Sequence, residues 1–131
     1  MSSNIVPGPA RVLFNQVITS AVTTDSIALG LTPGGIDLTG IKELAIFAAL
    51  LTFTGTTSIQ VLVSTSDLET APQWFNLNPT APAWTSAPNS YYTSAGPGTD
   101  NAHSIGKIAR INWNVIGSPT GVTFQVTVVG R

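Results

Sequence analysis

With 131 residues, the chain has the length of one domain whose core can stand without crosslinks. It contains no Cys, which excludes disulfide scaffolds, thiolate nucleophiles and cysteine metal sites. Its five basic residues, Arg11, Lys42, Lys107, Arg110 and Arg131, are too scattered to form a stripe that tracks phosphates, so a nucleic-acid partner is not expected.

Ionised side chains make up 8% of the residues and the net charge is −1, where about 25% charged residues are usual. Two readings stay open. The surface is coated with Ser, Thr, Asn, Gln and Gly in place of charge, or much of it lies against other protein.

The start, MSSNIVPGPA, has no basic region followed by an apolar run, so no export signal is expected there. Residues 1–9 read as an irregular arm because Pro7 and Pro9 lack amide donors, and residues 10–131 as a single domain. Such an arm is either frayed or laid over a neighbouring subunit. RVLFNQVIT then reads as a strand, with Val12, Phe14, Gln16 and Ile18 on one face and Leu13, Asn15, Val17 and Thr19 on the other. Ser26 to Leu31 is a shorter candidate strand, stopped by the turn sequence TPGG.

KELAIFAALLTF has helical propensity, but it is apolar on all sides and ends abruptly at TGTTS, which favours a strand. Its ten most apolar residues are too few to cross a membrane as a helix. Leu44, Ile46, Ala48 and Leu50 share one face and Ala45, Phe47, Ala49 and Leu51 the other, so both faces need cover. SIQVLVSTS follows as an antiparallel strand, with Ile59, Val61 and Val63 inward.

Residues 66–104 change character: five prolines and the aromatics Trp74, Phe75, Trp84, Tyr91 and Tyr92 suggest a long loop with short strands at most near 73–77 and 91–93. Its aromatics must pin it to something, as lids over the ends of a sandwich, as a protein interface, or as a platform for sugars. The last strands are IARINWNVI, with Ala109, Ile111, Trp113 and Val115 on one face, and VTFQVTVVG, with Val122, Phe124, Val126 and Val128 on one face. GSPTG between them reads as a hairpin. Seven or eight short strands without a convincing helix predict an all-β, antiparallel two-sheet sandwich, jelly-roll-like or of a related topology, with its strand order open.

No constellation points to catalysis. His103 lies in a Gly-rich loop with Asp100 and Ser104 close in sequence, without the framework that holds a triad. Asp67 and Glu69 would need to face each other across a cleft to act as a glycosidase pair. The turn acids Asp37, Asp67, Glu69 and Asp100 have no EF-hand spacing, Gly106-Lys107 lacks the rest of a phosphate loop, and one histidine is poor material for a transition-metal site. The expectation is a non-enzyme without cofactor or metal.

Two pieces, SIQVLVSTSDLETAPQWFNL and GKIARINWNVIGSPTGVTFQVTVVGR, together resemble small β-sandwich proteins of tailed-phage particles. The resemblance implies a structural virion protein that decorates or cements the capsid, or belongs to a head, tail or fibre assembly, without cofactor and often as a homo-oligomer in threefold clusters. It also implies contact residues in the arm (Ile5, Val6, Pro7), in the aromatic region (Trp74, Phe75, Trp84, Tyr91, Tyr92) and in the closing hairpin. The competing expectation is a carbohydrate-binding or host-attachment module that uses the loop aromatics.

Overall fold

Period-two alternation becomes strands throughout the computed structural model, which describes residues 10–55, 58–68, 70–99, 101, 104–117 and 119–131; the described residues contain no helix. In chain order the strands are β1 (Arg11–Thr19), β2 (Thr24–Asp25), β3 (Ile36–Asp37), β4 (Leu44–Thr54), β5 (Ser58–Ser66), β6 (Phe75–Asn76), β7 (Asn89–Ala95), β8 (Ile108–Ile116) and β9 (Gly121–Gly130). They form two antiparallel sheets. The first has the order β1-β9-β4-β7; the second has the order β2-β8-β5-β6, with β3 also paired to β8.

The inward faces match those expected. Leu44, Ile46, Ala48 and Leu50 of β4 and Val122, Phe124, Val126 and Val128 of β9 meet Ile59, Val61 and Val63 of β5 and Ala109, Ile111 and Trp113 of β8 in one core. Trp113 stands edge-on to Phe124 with ring centroids 5.1 Å apart, joining the sheets at their middle. Its indole N–H is fully buried, yet it donates to the Val22 carbonyl at 2.9 Å and to Ser20 Oγ at 3.2 Å, so desolvation leaves no orphan donor.

The connections differ from those expected. β8 and β9 are not a hairpin, because β8 pairs with β5 in one sheet and β9 with β1 and β4 in the other. Likewise β4 and β5 lie in different sheets. Both joints are arches: the apolar faces of the joined strands look at each other across the core instead of side by side. The two arches are neighbours at one end, where Thr120 N–H donates to the Thr54 carbonyl at 2.9 Å and a Cβ added at Gly55 would stand 2.8 Å from Pro119 Cα. Gly55 has φ +150°, so both its conformation and its contact favour glycine.

Three local expectations are also corrected. Residues 26–31 are a turn, not a strand. Asp25 Oδ1 accepts the amides of Ile27 and Ala28, each at 2.9 Å, and this side-chain competition bends the chain after the two-residue β2. In β1 a bulge between Val12 and Phe14 shifts the alternation, leaving Val12 61% exposed on the outside while Phe14 and Ile18 face the core. Residues 66–104 are not one loop. Residues 75–84 lie along the edge of β5, where Leu77 N–H donates to Val63 O, Val63 N–H to Asn78 Oδ1, and Ile59 and Trp84 exchange backbone bonds of 2.8 and 3.0 Å. The chain then crosses to the first sheet as β7, paired with β4 over seven residues.

Candidate functional site

The face that positions a possible site is the outer side of the first sheet. Of its four strands, only Arg11, at the start of β1, carries a charge. The registers align the outward residues in rows across the sheet: Ser94, Ala45, Val129 and Val12; then Tyr92, Phe47, Thr127 and Asn15; then Ser90, Ala49, Gln125 and Val17. Phe47 and Tyr92 are 46% and 57% exposed, and their ring centroids are 4.7 Å apart with the planes tilted by 46°. The pair is therefore a ridge instead of a flat platform. Leu51 and Val17 add further exposed apolar surface.

Several polar groups on this face are partnered within it. Asn15 Oδ1 accepts from Gln125 Nε2 at 3.0 Å and from the Thr127 hydroxyl at 3.1 Å, and Thr19 and Thr123 hydroxyls lie 3.3 Å apart. Internal pairing lowers the cost of covering such a surface, since fewer donors and acceptors lose water without compensation. Open depressions flank the ridge. One, of about 490 Å³, is lined by Tyr91, Tyr92, Phe47, Ser90, Gln125 and Thr127. Another, of about 630 Å³, reaches from Tyr92 and Ser94 to Glu43 and Arg131.

The outer side of the second sheet is built differently. Arg110 pairs with Asp25 at 3.2 Å and its guanidinium lies 4.6 Å from the ring centroid of Trp74. Beside them the Ser64 hydroxyl connects Asn76 and Asn112. Trp74 thus packs, half-buried, against a cation of its own chain, and residues 75–84 occupy the neighbouring edge.

The residues expected from sequence are dispersed. Trp84 is 4% exposed and belongs to the core, packed in the same cluster as Ile59; it acts as a lid and presents no ring to a partner. Tyr91 faces inward and is half-buried, whereas Tyr92, its neighbour, faces out. Phe75 is 46% exposed on β6 of the second sheet, whereas Tyr92 lies on β7 of the first. Ile5, Val6 and Pro7 lie outside the described residues, as do His103, Asp100 and Glu69. Phe47, Val12 and Val17 are exposed apolar residues of this face that the expected contacts do not include; the signal for Phe47 in the sequence is the second apolar face of β4, which the described chain leaves open.

Among the acids, Asp37 is held below its ordinary value of 3.8, chiefly by the Thr39 hydroxyl and then by the Thr39 amide, with Arg11 adding a smaller pull. That carboxylate is a turn element. Among the described residues, no group of three or more His, Asp or Glu is placed to hold a metal ion. No protein-family model matches the chain, and no curated protein matches it.

Proposed function

We propose that the protein is a structural subunit of a virion, a jelly roll that decorates or cements the capsid through protein contacts. The order of strands supports the jelly-roll reading. If β2 and β3 are two pieces of one interrupted strand on β8, the chain has eight strand positions, β1-β9-β4-β7 facing β2/β3-β8-β5-β6, and every connection but β5 to β6 crosses between sheets. Folds of this arrangement recur in viral capsids and in lectins.

The observation that carries the functional reading is the outer face of the first sheet, whose strands hold no charge but Arg11 at the start of β1, with its Asn15–Gln125 amide hydrogen bond and its exposed Phe47–Tyr92 ridge. Such a face suits a contact held by apolar area and shape, with little electrostatic steering and a slow release. Weak patches of this kind gain strength when many copies sit on one lattice.

Gold-labelled antibody against the chain, applied to purified particles from its source, tests the reading. Regular labelling of the shell is expected, and label confined to the particle-free fraction refutes it. A second reading, a glycan-binding or attachment module, is favoured by one observation: Tyr92 lies beside Ser90, Gln125 and Thr127 in the same depression. Glycan-array binding that disappears on Tyr92→Ala would support that module over the structural role.

A further inference from the structure

We propose that β7 is where a second copy of this chain adds, edge to edge and antiparallel, joining two four-stranded sheets into one of eight strands. The proposal goes beyond the virion reading, since it concerns any assembly the chain makes.

A sheet edge exposes unpaired amides and carbonyls, and proteins blunt such edges with charge, bulges, short strands or covering chain. Three of the four edges here are treated in that way. β1 carries Arg11 and a bulge. The β2 and β3 edge is broken into pieces of two residues. β5 is covered by residues 75–84. β7 differs. Its sequence, NSYYTSA, has no charge and no proline, and its register with β4 runs without a bulge.

The outward groups of β7 can be assigned. Asn101 N–H donates to the Ser94 carbonyl, and Gly96 N–H to the Asn101 carbonyl, so residues of this parity point their backbone away from β4. Tyr92 and Ser90 have the same parity. The cover from Asn101 ends at Ser94 and Thr93, and the Tyr92 N–H and C=O and the Ser90 C=O find no partner among the described residues. The Ser90 N–H donates only to its neighbour's side chain, Asn89 Oδ1, at 3.0 Å.

This open stretch is self-complementary. A twofold axis at Tyr91 sets Ser90 of one copy opposite Tyr92 of the other, twice, and each such pair exchanges two backbone hydrogen bonds. Tyr91 then meets its copy at a position without backbone bonds, where side chains approach most closely. On the outer face each Tyr92 ring lies beside the small Ser90 of the other copy, with the Phe47 ridge continuing on both sides of the axis. No ionised group opposes the approach along this strand. A second copy is the occupant because the same short stretch supplies both halves of the bonding pattern in one register.

Sedimentation velocity and hydrogen exchange on the whole chain test the proposal. A dimer is expected, with Ser90 and Tyr92 amides that become protected as concentration rises. Ser90→Pro removes an amide that points away from β4, so the β4 ladder survives. It deletes one bond per copy and should raise the dissociation constant by about ten- to a hundredfold. Ser90→Lys keeps the amide and adds a charge at the edge, and should weaken the dimer in the same direction if the proline variant fails to fold. A monomer at high concentration, a trimer with freely exchanging Ser90 and Tyr92 amides, or a folded Ser90→Pro protein that dimerises as before would each overturn the proposal. Particle labelling with a monomeric chain in solution would remove this inference and leave the virion reading standing.

Discussion

Ser26→Ala removes a hydroxyl that joins the turn after β2 to the second sheet. Ser26 is fully buried, its Oγ accepts the Ile111 amide at 3.0 Å, and it lies 2.7 Å from the Thr32 hydroxyl, itself 8% exposed. Its backbone is engaged as well, donating to the Ile111 carbonyl and accepting from Leu31 and Thr32, so the alanine stays in place. The substitution therefore strands a buried N–H and a nearly buried hydroxyl. One unsatisfied buried group costs about 1–3 kcal/mol, and a value near 2 kcal/mol corresponds to a melting temperature lower by roughly 6–10 °C at this chain length. Urea unfolding followed by tryptophan fluorescence should show a lower midpoint with an unchanged slope. Ser26→Ala combined with Thr32→Val should cost less than the sum of the two, because both remove the same pair. A loss under about 0.5 kcal/mol for the single variant would refute the reasoning, since the stranded groups would then have found other partners.

Other substitutions separate the fold from the surface. Trp84→Ala should cost about 3–5 kcal/mol in chemical unfolding, whereas Tyr92→Ala, on the exposed ridge, should cost under about 1.5 kcal/mol; equal losses would contradict the assignment of lid and surface. Gly106→Ala places a Cβ 2.5 Å from the Ser66 carbonyl oxygen, a backbone atom that cannot swing aside, and should lower stability by about 1–3 kcal/mol in the same assay. Asp37 has a folded pKa below its unfolded value, so its contribution is present above the ordinary 3.8 and is lost as pH falls through the lower folded value. Thr39→Val should flatten that acid-side decline in melting temperature, and an unchanged decline would assign it to other carboxylates. Self-association should vary little with added salt, as no charged pair lies on the uncharged face; a steep dependence measured by sedimentation would point to contacts elsewhere.

How much was legible follows from what alternation encodes. A period of two says which residues share a face, and the inward sets of β4, β5, β8 and β9 were all readable on that ground. It does not say which sheet a strand joins. IARINWNVI, GSPTG and VTFQVTVVG fit a hairpin or an arch equally well, and the choice is made by partners remote in sequence, Leu62 opposite Asn112 and Ile46 opposite Val128. The bulge at Leu13 has no mark in RVLF, since apolar residues there suit either side. Burial of Trp84 rests on a two-residue bridge to Ile59, which proline-rich surroundings do not reveal. Tyr91 and Tyr92 could be told apart only once β7 was known to pair with β4, because that pairing fixes which ring turns inward.

The candidate face was partly written in the sequence as a requirement left unmet. Ala45, Phe47, Ala49 and Leu51 demanded a cover that the described chain does not supply, and the few charges are placed where they do not replace it. Arg110 and Asp25 pair on the other sheet, and Arg131 and Glu43 pair beside the ends of β9 and β4. Adding one lysine to this face, at Gln125 between Ala49 and Val17, would have been a small change for an isolated sandwich, as an exposed substitution of that kind shifts stability by about 0.5 kcal/mol or less. Against a packed apolar partner the same lysine would bury an unpaired charge at a cost of several kcal/mol. The two situations thus give opposite results for Gln125→Lys: unchanged folding and association if the face is bathed in water, unchanged folding with lost assembly if protein covers it.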